Sequence, residues 1–231
     1  MAVTQLLLFD IDGTLLSIAK RELNVFGRAL ETIFDTSGPL DGYSFAGKTD
    51  HQIAFDLLSR AGRSEREIQT GLPAMKEHYF AILDEMLTES SMKVLPGVVE
   101  ILDELVTVRS AIVGLQTGNW RGAADIKLSR YGLDGYFEVG AFGDEQPDRS
   151  RLPLLARNRA EESTGRAIEA EQTVIIGDTA LDVACAKACG MASVGVATGS
   201  TSQDELRGAG ADLVVSSLAE IDADSLLGLT R

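Results

Sequence analysis

Short uninterrupted runs of apolar residues recur along the chain, and most of them end in a polar residue or a glycine. The first run, Leu6 to Phe9, leads directly into Asp10. Runs of this length and composition are typical of strands buried on both faces of a parallel sheet. The pattern predicts further strands at 111–116, 173–177 and 192–197, with weaker candidates at 137–142 and 212–215.

Between these runs, the apolar residues recur at three- and four-residue spacing, which predicts helices. Alternating strands and helices indicate a doubly wound parallel sheet with a Rossmann-like α/β core. No strand pattern occurs between residues 17 and 90. We therefore expect an inserted α-helical segment there, with helices at 17–34, from Asp50, from about 65, and at 73–89. The capping-box pairs Thr49/Gln52 and Ser64/Glu67 predict where the second and third of these helices begin.

The composition excludes several classes of function. The chain has 231 residues, of which 45% are hydrophobic, and its net charge is −14. A phosphate backbone or an anionic membrane surface attracts basic proteins, so we expect neither nucleic acid nor membrane as a partner. We find no membrane-spanning run and no signal-peptide pattern, and we expect a soluble, cytoplasmic protein that is a monomer or a homodimer.

Two carboxylates lie close together where the first predicted strand ends. Asp10 and Asp12 are followed by Gly13, which favours a turn. Neighbouring carboxylates repel each other, and burial increases the cost, unless a cation compensates them or one of them is protonated. Mg²⁺ prefers oxygen ligands, so the pair suggests a magnesium site. An ordinary Asp-Gly turn is the structural alternative.

Polar residues also follow the later strands. Since the carboxyl ends of parallel strands lie at one edge of a sheet, these residues can converge with Asp10 and Asp12. Thr117, Gly118 and Asn119 precede a helix whose backbone N–H groups could bind phosphate. The expected loop residues further along the chain are Arg149 and Arg151, and then Asp178 and Asp182. Each has a structural alternative: Thr117 and Asp178 as helix caps, Asp182 as a solvated helix residue, and the arginines as surface charges.

At these residues the chain resembles the haloacid dehalogenase-like superfamily of phosphohydrolases. The segment Phe9-Asp10-Ile11-Asp12-Gly13-Thr14-Leu15 resembles its first motif, Thr117 its second, and Ile176-Gly177-Asp178 through Asp182 its fourth. The helical insert is similar to the superfamily's cap. Gly47-Lys48-Thr49-Asp50 and Leu95-Pro96-Gly97-Val98 resemble the phosphoglycolate phosphatase-like branch. The resemblance implies an α/β hydrolase core at 1–16 and 92–231, and a helical cap at 17–91.

The resemblance also implies a mechanism for a Mg²⁺-dependent phosphatase acting on a small phosphorylated metabolite, with phosphoglycolate one option. Asp10 would attack phosphorus and become an aspartyl phosphate, while Asp12 would act as acid and base. Mg²⁺ would be held by Asp10, Asp178 and the backbone carbonyl of Asp12. Thr117 and Gly118, with Asn119 beside them, would bind the phosphoryl group. Asp182 would orient the site's cation or the Asp178 loop.

The third motif departs from the family pattern, which normally supplies a lysine. The chain has no lysine between Lys127 and Lys187. Arg149 is the candidate replacement, with Arg151 behind it. Two alternative functions remain open: a sugar-phosphate mutase of similar architecture, and a catalytically weak binding protein that lacks the lysine. Trp120 is a candidate for the rim of the pocket. Lys48 and Asp50 are candidates for residues near the substrate, and a helix start at Thr49 is the structural alternative.

Overall fold

One parallel sheet organises the structure, a computed structural model that describes residues 4–17, 20–88, 91–108 and 110–230. Within these residues, six strands form the sheet in the order β3-β2-β1-β4-β5-β6. All neighbouring strands pair in parallel. The strands are β1 (Gln5–Phe9), β2 (Ala111–Gln116), β3 (Val139–Ala141), β4 (Thr173–Gly177), β5 (Ala192–Val196) and β6 (Leu213–Val215). The predicted doubly wound α/β fold is confirmed.

The order of the strands reverses beside β1. The chain continues from β1 to β2 and β3 on one side, and then crosses to β4, β5 and β6 on the other. Open α/β sheets bind ligands at such a switch point, outside the carboxyl ends of the strands. Asp10 and Asp178 directly follow the two strands that flank this point. The topology therefore places both carboxylates where the fold is best suited to bind a ligand.

The central strand is buried on both faces, as its uninterrupted apolar run predicts. Leu7 and Phe9 belong to the larger core, which includes α4 and the helical segment between β1 and α4. Leu6 and Leu8 face a second, smaller core beneath α6 and α7. Successive side chains of a strand point to opposite faces, so one strand anchors both layers. The carboxyl end of β1 is thus held between two packed cores.

Nine helices flank the sheet within the described residues. They are α1 (Lys20–Phe34), α2 (Asp50–Arg60), α3 (Glu65–Met86), α4 (Val98–Thr107), α5 (Arg121–Arg130), α6 (Leu152–Thr164), α7 (Ala180–Ala188), α8 (Gln203–Ala209) and α9 (Ala223–Leu227). Both predicted capping boxes are present. Residues 18, 19 and 89, at the ends of predicted helices, lie outside the described residues. None of the described helices combines the length and the apolar character needed to cross a membrane.

The prediction of separate helices before and after Pro73 is wrong. A single helix, α3, runs through Pro73 from Glu65 to Met86. Proline removes one helical hydrogen bond and usually kinks or ends a helix. Here the apolar positions on both sides of it face the same core, and burying them offsets that cost. The buried residues of α3 are Ile68, Met75, Tyr79, Ile82 and Leu83. The short helices α8 and α9 were missed, although Ser202 and Glu205 form a capping box before α8.

Replacing Pro73 should stabilise the protein. Pro73 is exposed, so Pro73→Ala removes little packing and restores a helical N–H. We expect the free energy of unfolding to rise by about 1–3 kcal/mol, measured by chemical denaturation. Ala74→Gly, at the neighbouring exposed position, should instead lower it by roughly 1 kcal/mol. If the Pro73→Ala protein is no more stable than wild type, Pro73 does not destabilise α3.

Candidate active site

Two buried carboxylates meet at the switch point of the sheet. Asp10 is 5% exposed and Asp178 is 1% exposed. The Asp10 backbone N–H donates to the Ile176 carbonyl at 2.9 Å, which ties the end of β1 to β4. One carboxylate oxygen each from Asp10, Asp178 and Asp182 lies within 4.8 Å of the others. The sequence-predicted acidic residues are therefore brought together.

A single guanidinium joins two of these carboxylates. Arg149 Nη2 lies 2.8 Å from Asp10 Oδ2 and 2.5 Å from Asp182 Oδ1. Arg149 is 6% exposed and belongs to a 3₁₀ turn, Arg149–Arg151, that Asp148 caps through the Ser150 N–H. The Arg151 side chain is 70% exposed and lies 3.8 Å from Asp148. Arg149, and not Arg151, is thus the cation beside the candidate nucleophile.

Both carboxylate oxygens of Asp182 have partners in this network. Besides the ion pair with Arg149, its Oδ2 accepts hydrogen bonds from the Thr179 N–H at 3.1 Å and from the Thr179 hydroxyl at 2.7 Å. These contacts form a capping box at the start of α7. A side chain at Gly177 would place its Cβ 2.2 Å from the Asp182 carboxyl carbon, so this position requires glycine. Asp182 is 1% exposed, which rules out the solvated helix residue considered above.

The Asp178 carboxylate is the exception in the cluster. Both of its oxygens are buried and lack a hydrogen-bond partner among the described residues. Burial, and then the nearby charges of Asp10 and Asp182, raise the pKa of Asp178 to about 8. Burial also raises the pKa of Asp10 to about 6, although Arg149 opposes the shift. Two unpartnered oxygens in a carboxylate cluster fit a divalent cation, which would supply the missing charge.

The second carboxylate of the first loop has different partners. Asp12 Oδ2 lies 2.7 Å from Lys127 Nζ and accepts a hydrogen bond from Asn119 Nδ2 at 2.8 Å. Lys127 Nζ also donates to Asn119 Oδ1 at 2.7 Å. Asn119 Nδ2 further donates to the fully buried Thr117 hydroxyl at 2.8 Å. The loop after β2 therefore orients Asp12, and Gly118 and Asn119 line the cavity beside it.

The loop before α2 closes over this edge of the sheet. The Asp50 N–H donates to the Gly118 carbonyl at 2.8 Å, and Asp50 Oδ2 accepts from the Trp120 N–H at 2.8 Å. A Cβ at Gly118 would lie 2.2 Å from the Lys48 carbonyl oxygen, so this contact requires glycine. Burial raises the pKa of Asp50 to about 7. Trp120 is fully buried and stacked on Phe26, so it is not at the pocket rim.

Lys127 is the site residue that sequence reasoning missed. Lys127 lies in a weakly amphipathic helix, where a lysine is normally a surface residue. It is nevertheless only 2% exposed. No signal in the sequence pointed to its burial, because Asn119 precedes α5 and helical spacing does not relate the two residues. The capping box at Thr49 already accounts for Asp50 as the first residue of α2. Its hydrogen bond from the Trp120 N–H was therefore not predicted.

Comparisons with known proteins identify the family of the chain. Residues 7–196 match the model of the family described as haloacid dehalogenase-like hydrolase. The chain is 29% identical to a phosphoglycolate phosphatase of Chromobacterium violaceum, over 92% of each chain. It is 27% identical to a probable phosphatase, IndB, of Dickeya dadantii, over 94% of this chain and 91% of that protein. A β-phosphoglucomutase structure from Clostridium difficile shares the fold, with a TM-score of 0.70 at 16% identity, covering 99% of this chain and 97% of that one.

The two arginines of the 3₁₀ turn should differ sharply in their effect on stability. Arg149→Met leaves the buried carboxylates of Asp10 and Asp182 without their cation, so we expect a loss of about 3–5 kcal/mol in the free energy of unfolding. Arg151→Met, two residues away and exposed, should change it by no more than about 0.5 kcal/mol. Urea denaturation in EDTA measures both. Equal effects from the two variants would contradict the buried ion network.

Proposed function

The chain belongs to the haloacid dehalogenase-like hydrolase family and is a phosphatase of its phosphoglycolate phosphatase-like branch, and we propose that it is a Mg²⁺-dependent enzyme that hydrolyses a small phosphorylated metabolite. The reaction proceeds through an aspartyl phosphate on Asp10. One observation carries the proposal: a buried, unpartnered Asp178 carboxylate lies beside Asp10, whose other neighbour is the Arg149 guanidinium.

The first chemical step uses the two carboxylates of the first loop. An Asp10 oxygen forms a bond to phosphorus while the bond from phosphorus to the ester oxygen breaks. Asp12 gives its proton to that leaving oxygen, so the product is a neutral alcohol. In the second step, Asp12 takes a proton from water, and the resulting nucleophile attacks phosphorus. Asp10 is released as a carboxylate, together with inorganic phosphate.

Lys127 and Asn119 prepare Asp12 for this exchange. Both groups contact the same oxygen, Asp12 Oδ2, at 2.7 and 2.8 Å. The other oxygen, Oδ1, makes no hydrogen bond to any described residue and is therefore available for the proton. Thr117, whose hydroxyl accepts a hydrogen bond from Asn119 Nδ2, and the backbone of Gly118 bind the phosphoryl group. Arg149 replaces the usual lysine, pairing with Asp10 and with the charge of the phosphoryl group.

The side chains of Asp10 and Asp178, with the backbone carbonyl of Asp12, would hold Mg²⁺. A bound Mg²⁺ offsets negative charge on the nucleophile and the phosphoryl group and orients them. Asp182 is less suited as a ligand, because Arg149 and Thr179 already occupy its two oxygens. We further propose that residues 17–91 act as a cap over the core formed by 1–16 and 92–231. This division is supported by the loop before α2, which contacts Gly118.

A sugar-phosphate mutase is the second candidate, because the β-phosphoglucomutase of Clostridium difficile shares the fold. A mutase returns the phosphoryl group to sugar, whereas a phosphatase releases inorganic phosphate. The two are therefore distinguished by phosphate release in the absence of a sugar acceptor. The named phosphatase relatives favour hydrolysis. A weak binding protein is disfavoured by the presence of Arg149 in the place of the lysine.

If Asp10 is the nucleophile, its replacement by the isosteric asparagine should abolish turnover. Asp10→Asn should lower kcat for p-nitrophenyl phosphate by about 10³-fold or more, because an amide is a poor nucleophile. Asp204→Asn is the control, since its side chain is 96% exposed and outside the site. Phosphate release with Mg²⁺ is the measurement. Wild-type turnover in Asp10→Asn would contradict the assignment, provided that circular dichroism shows both variants folded.

The metal assignment predicts a change in stability that does not depend on activity. Mg²⁺ should raise the melting temperature of the wild-type protein, because an ion that binds the folded state stabilises it. Asp178→Asn should lose most of that increase. In EDTA the same variant should melt above wild type, because it removes a buried carboxylate that must either take up a proton on folding or remain charged without a partner among the described residues. An unchanged response of Asp178→Asn to Mg²⁺ would exclude Asp178 as a ligand.

A further inference from the structure

The cavity at the sheet edge has two different walls. Its volume is about 250 Å³, which suits a small ligand. Asp10, Asp12 and Asp178 lie on the side formed by the sheet, where the phosphoryl group must bind. The opposite side is formed by α1, by the loop before α2, and by α2 and α3. That second wall surrounds the organic part of the substrate, which becomes the leaving alcohol.

The second wall is mostly apolar and aromatic, and its polar residues are Ser44, Lys48 and Asp50. Phe26, Ile53 and Tyr79 line it, and each is no more than 3% exposed. Phe26 packs edge-to-face against Tyr79 at a ring distance of 5.1 Å and against Phe45 at 6.1 Å. Tyr43 continues the cluster, 5.3 Å from Phe45. Rings packed edge to face fix one another, so this wall is preformed. A planar or branched apolar group would bury favourably against it.

The basic side chains that line the cavity already have acidic partners among the described residues. Lys48 Nζ lies 3.0 Å from Asp56 Oδ2 and 2.9 Å from the Tyr43 hydroxyl. The other two, Lys127 and Arg149, pair with the site's carboxylates at 2.7 Å and 2.8 Å. A carboxylate on the organic part of a substrate would share Lys48 with Asp56, whose negative charge opposes its approach. A carboxylate that does not reach Lys48 would lie unpaired against the aromatic wall, which is unfavourable.

We infer that the substrates of this enzyme are phosphate monoesters whose organic part is uncharged and apolar, such as aryl or arylalkyl phosphates, and that carboxylated esters such as phosphoglycolate are selected against. This inference rests on the proposed function and adds the substrate class. The inferred substrate class differs from the substrate in the name of the Chromobacterium violaceum relative. The reason is that the cavity combines an aromatic wall with a Lys48 that is already paired with Asp56.

A matched set of substrates tests the inference on the wild-type protein. We would measure kcat/KM for benzyl phosphate, 4-carbamoylbenzyl phosphate, 4-carboxybenzyl phosphate and phosphoglycolate, with Mg²⁺. The carbamoyl and carboxyl compounds have nearly the same size and differ in charge. We expect kcat/KM to be at least about tenfold lower for the carboxyl compound than for the carbamoyl compound. We also expect benzyl phosphate to exceed phosphoglycolate.

Two variants test the roles of the pairing and of the wall. Asp56→Asn releases Lys48, so the ratio of kcat/KM for 4-carboxybenzyl phosphate to that for 4-carbamoylbenzyl phosphate should rise about tenfold. Phe45→Ala removes part of the wall and should raise KM for benzyl phosphate several-fold. Phe55→Ala is its matched control, because Phe55 stacks on His51 at 4.6 Å and is not among the described lining residues.

The outcomes separate this inference from the proposed function. If no ester is hydrolysed, including p-nitrophenyl phosphate, both are overturned. If esters are hydrolysed, but 4-carboxybenzyl phosphate reacts as fast as 4-carbamoylbenzyl phosphate, or phosphoglycolate reacts faster than benzyl phosphate, the phosphatase stands and the substrate class is wrong. An unchanged charge ratio in Asp56→Asn would likewise overturn the argument from Lys48. A lower rate for both carboxylated compounds, with the ratio restored in Asp56→Asn, would support it.

Discussion

Charge compensation at the switch point of the sheet is the constraint on which the structure depends. Asp10, Asp178 and Asp182 are buried within a few ångströms of one another, and Arg149 reaches only two of them. Carboxylates in such surroundings favour their neutral forms, as the raised pKa of Asp178 shows. A protein folded for stability alone would have little reason to keep this arrangement. This concentration of buried carboxylates is therefore the feature on which the proposed cation site and phosphoryl chemistry depend.

Glycine makes this concentration of charge geometrically possible. A Cβ at Gly13 would lie 2.4 Å from Asp178 Oδ2, and one at Gly118 would lie 2.2 Å from the Lys48 carbonyl oxygen. Gly13 also has a positive φ of 85°, a conformation that other residues rarely adopt. The loops after β1 and β2 can thus approach the carboxylates and the loop before α2 more closely than any side chain would allow.

Much of the fold and part of the site could be predicted from the sequence. Buried strands are visible as apolar runs because the sheet is parallel, and their ends locate Asp10 and Asp178. Helix continuity could not be predicted at Pro73, because tertiary burial on both sides outweighs a local preference. Lys127 was missed for a related reason: burial of a lysine depends on a partner, Asp12, 115 residues away. Local sequence patterns carry no information about a partner so far away along the chain.

The two halves of the cavity follow different physical rules, so we expect the reaction and its specificity to depend on different residues. The sheet edge is held by β-strand pairing and by an ion network in which moving one group exposes another charge. The opposite wall is held by aromatic packing, with one neutralised cation, Lys48, at its margin. Apolar walls tolerate substitution at modest cost, whereas buried charge networks do not. We therefore expect changes in α1, in α2 and in the loop before it to alter the leaving group that is accepted, while the carboxylates and Arg149 keep the proposed phosphoryl chemistry.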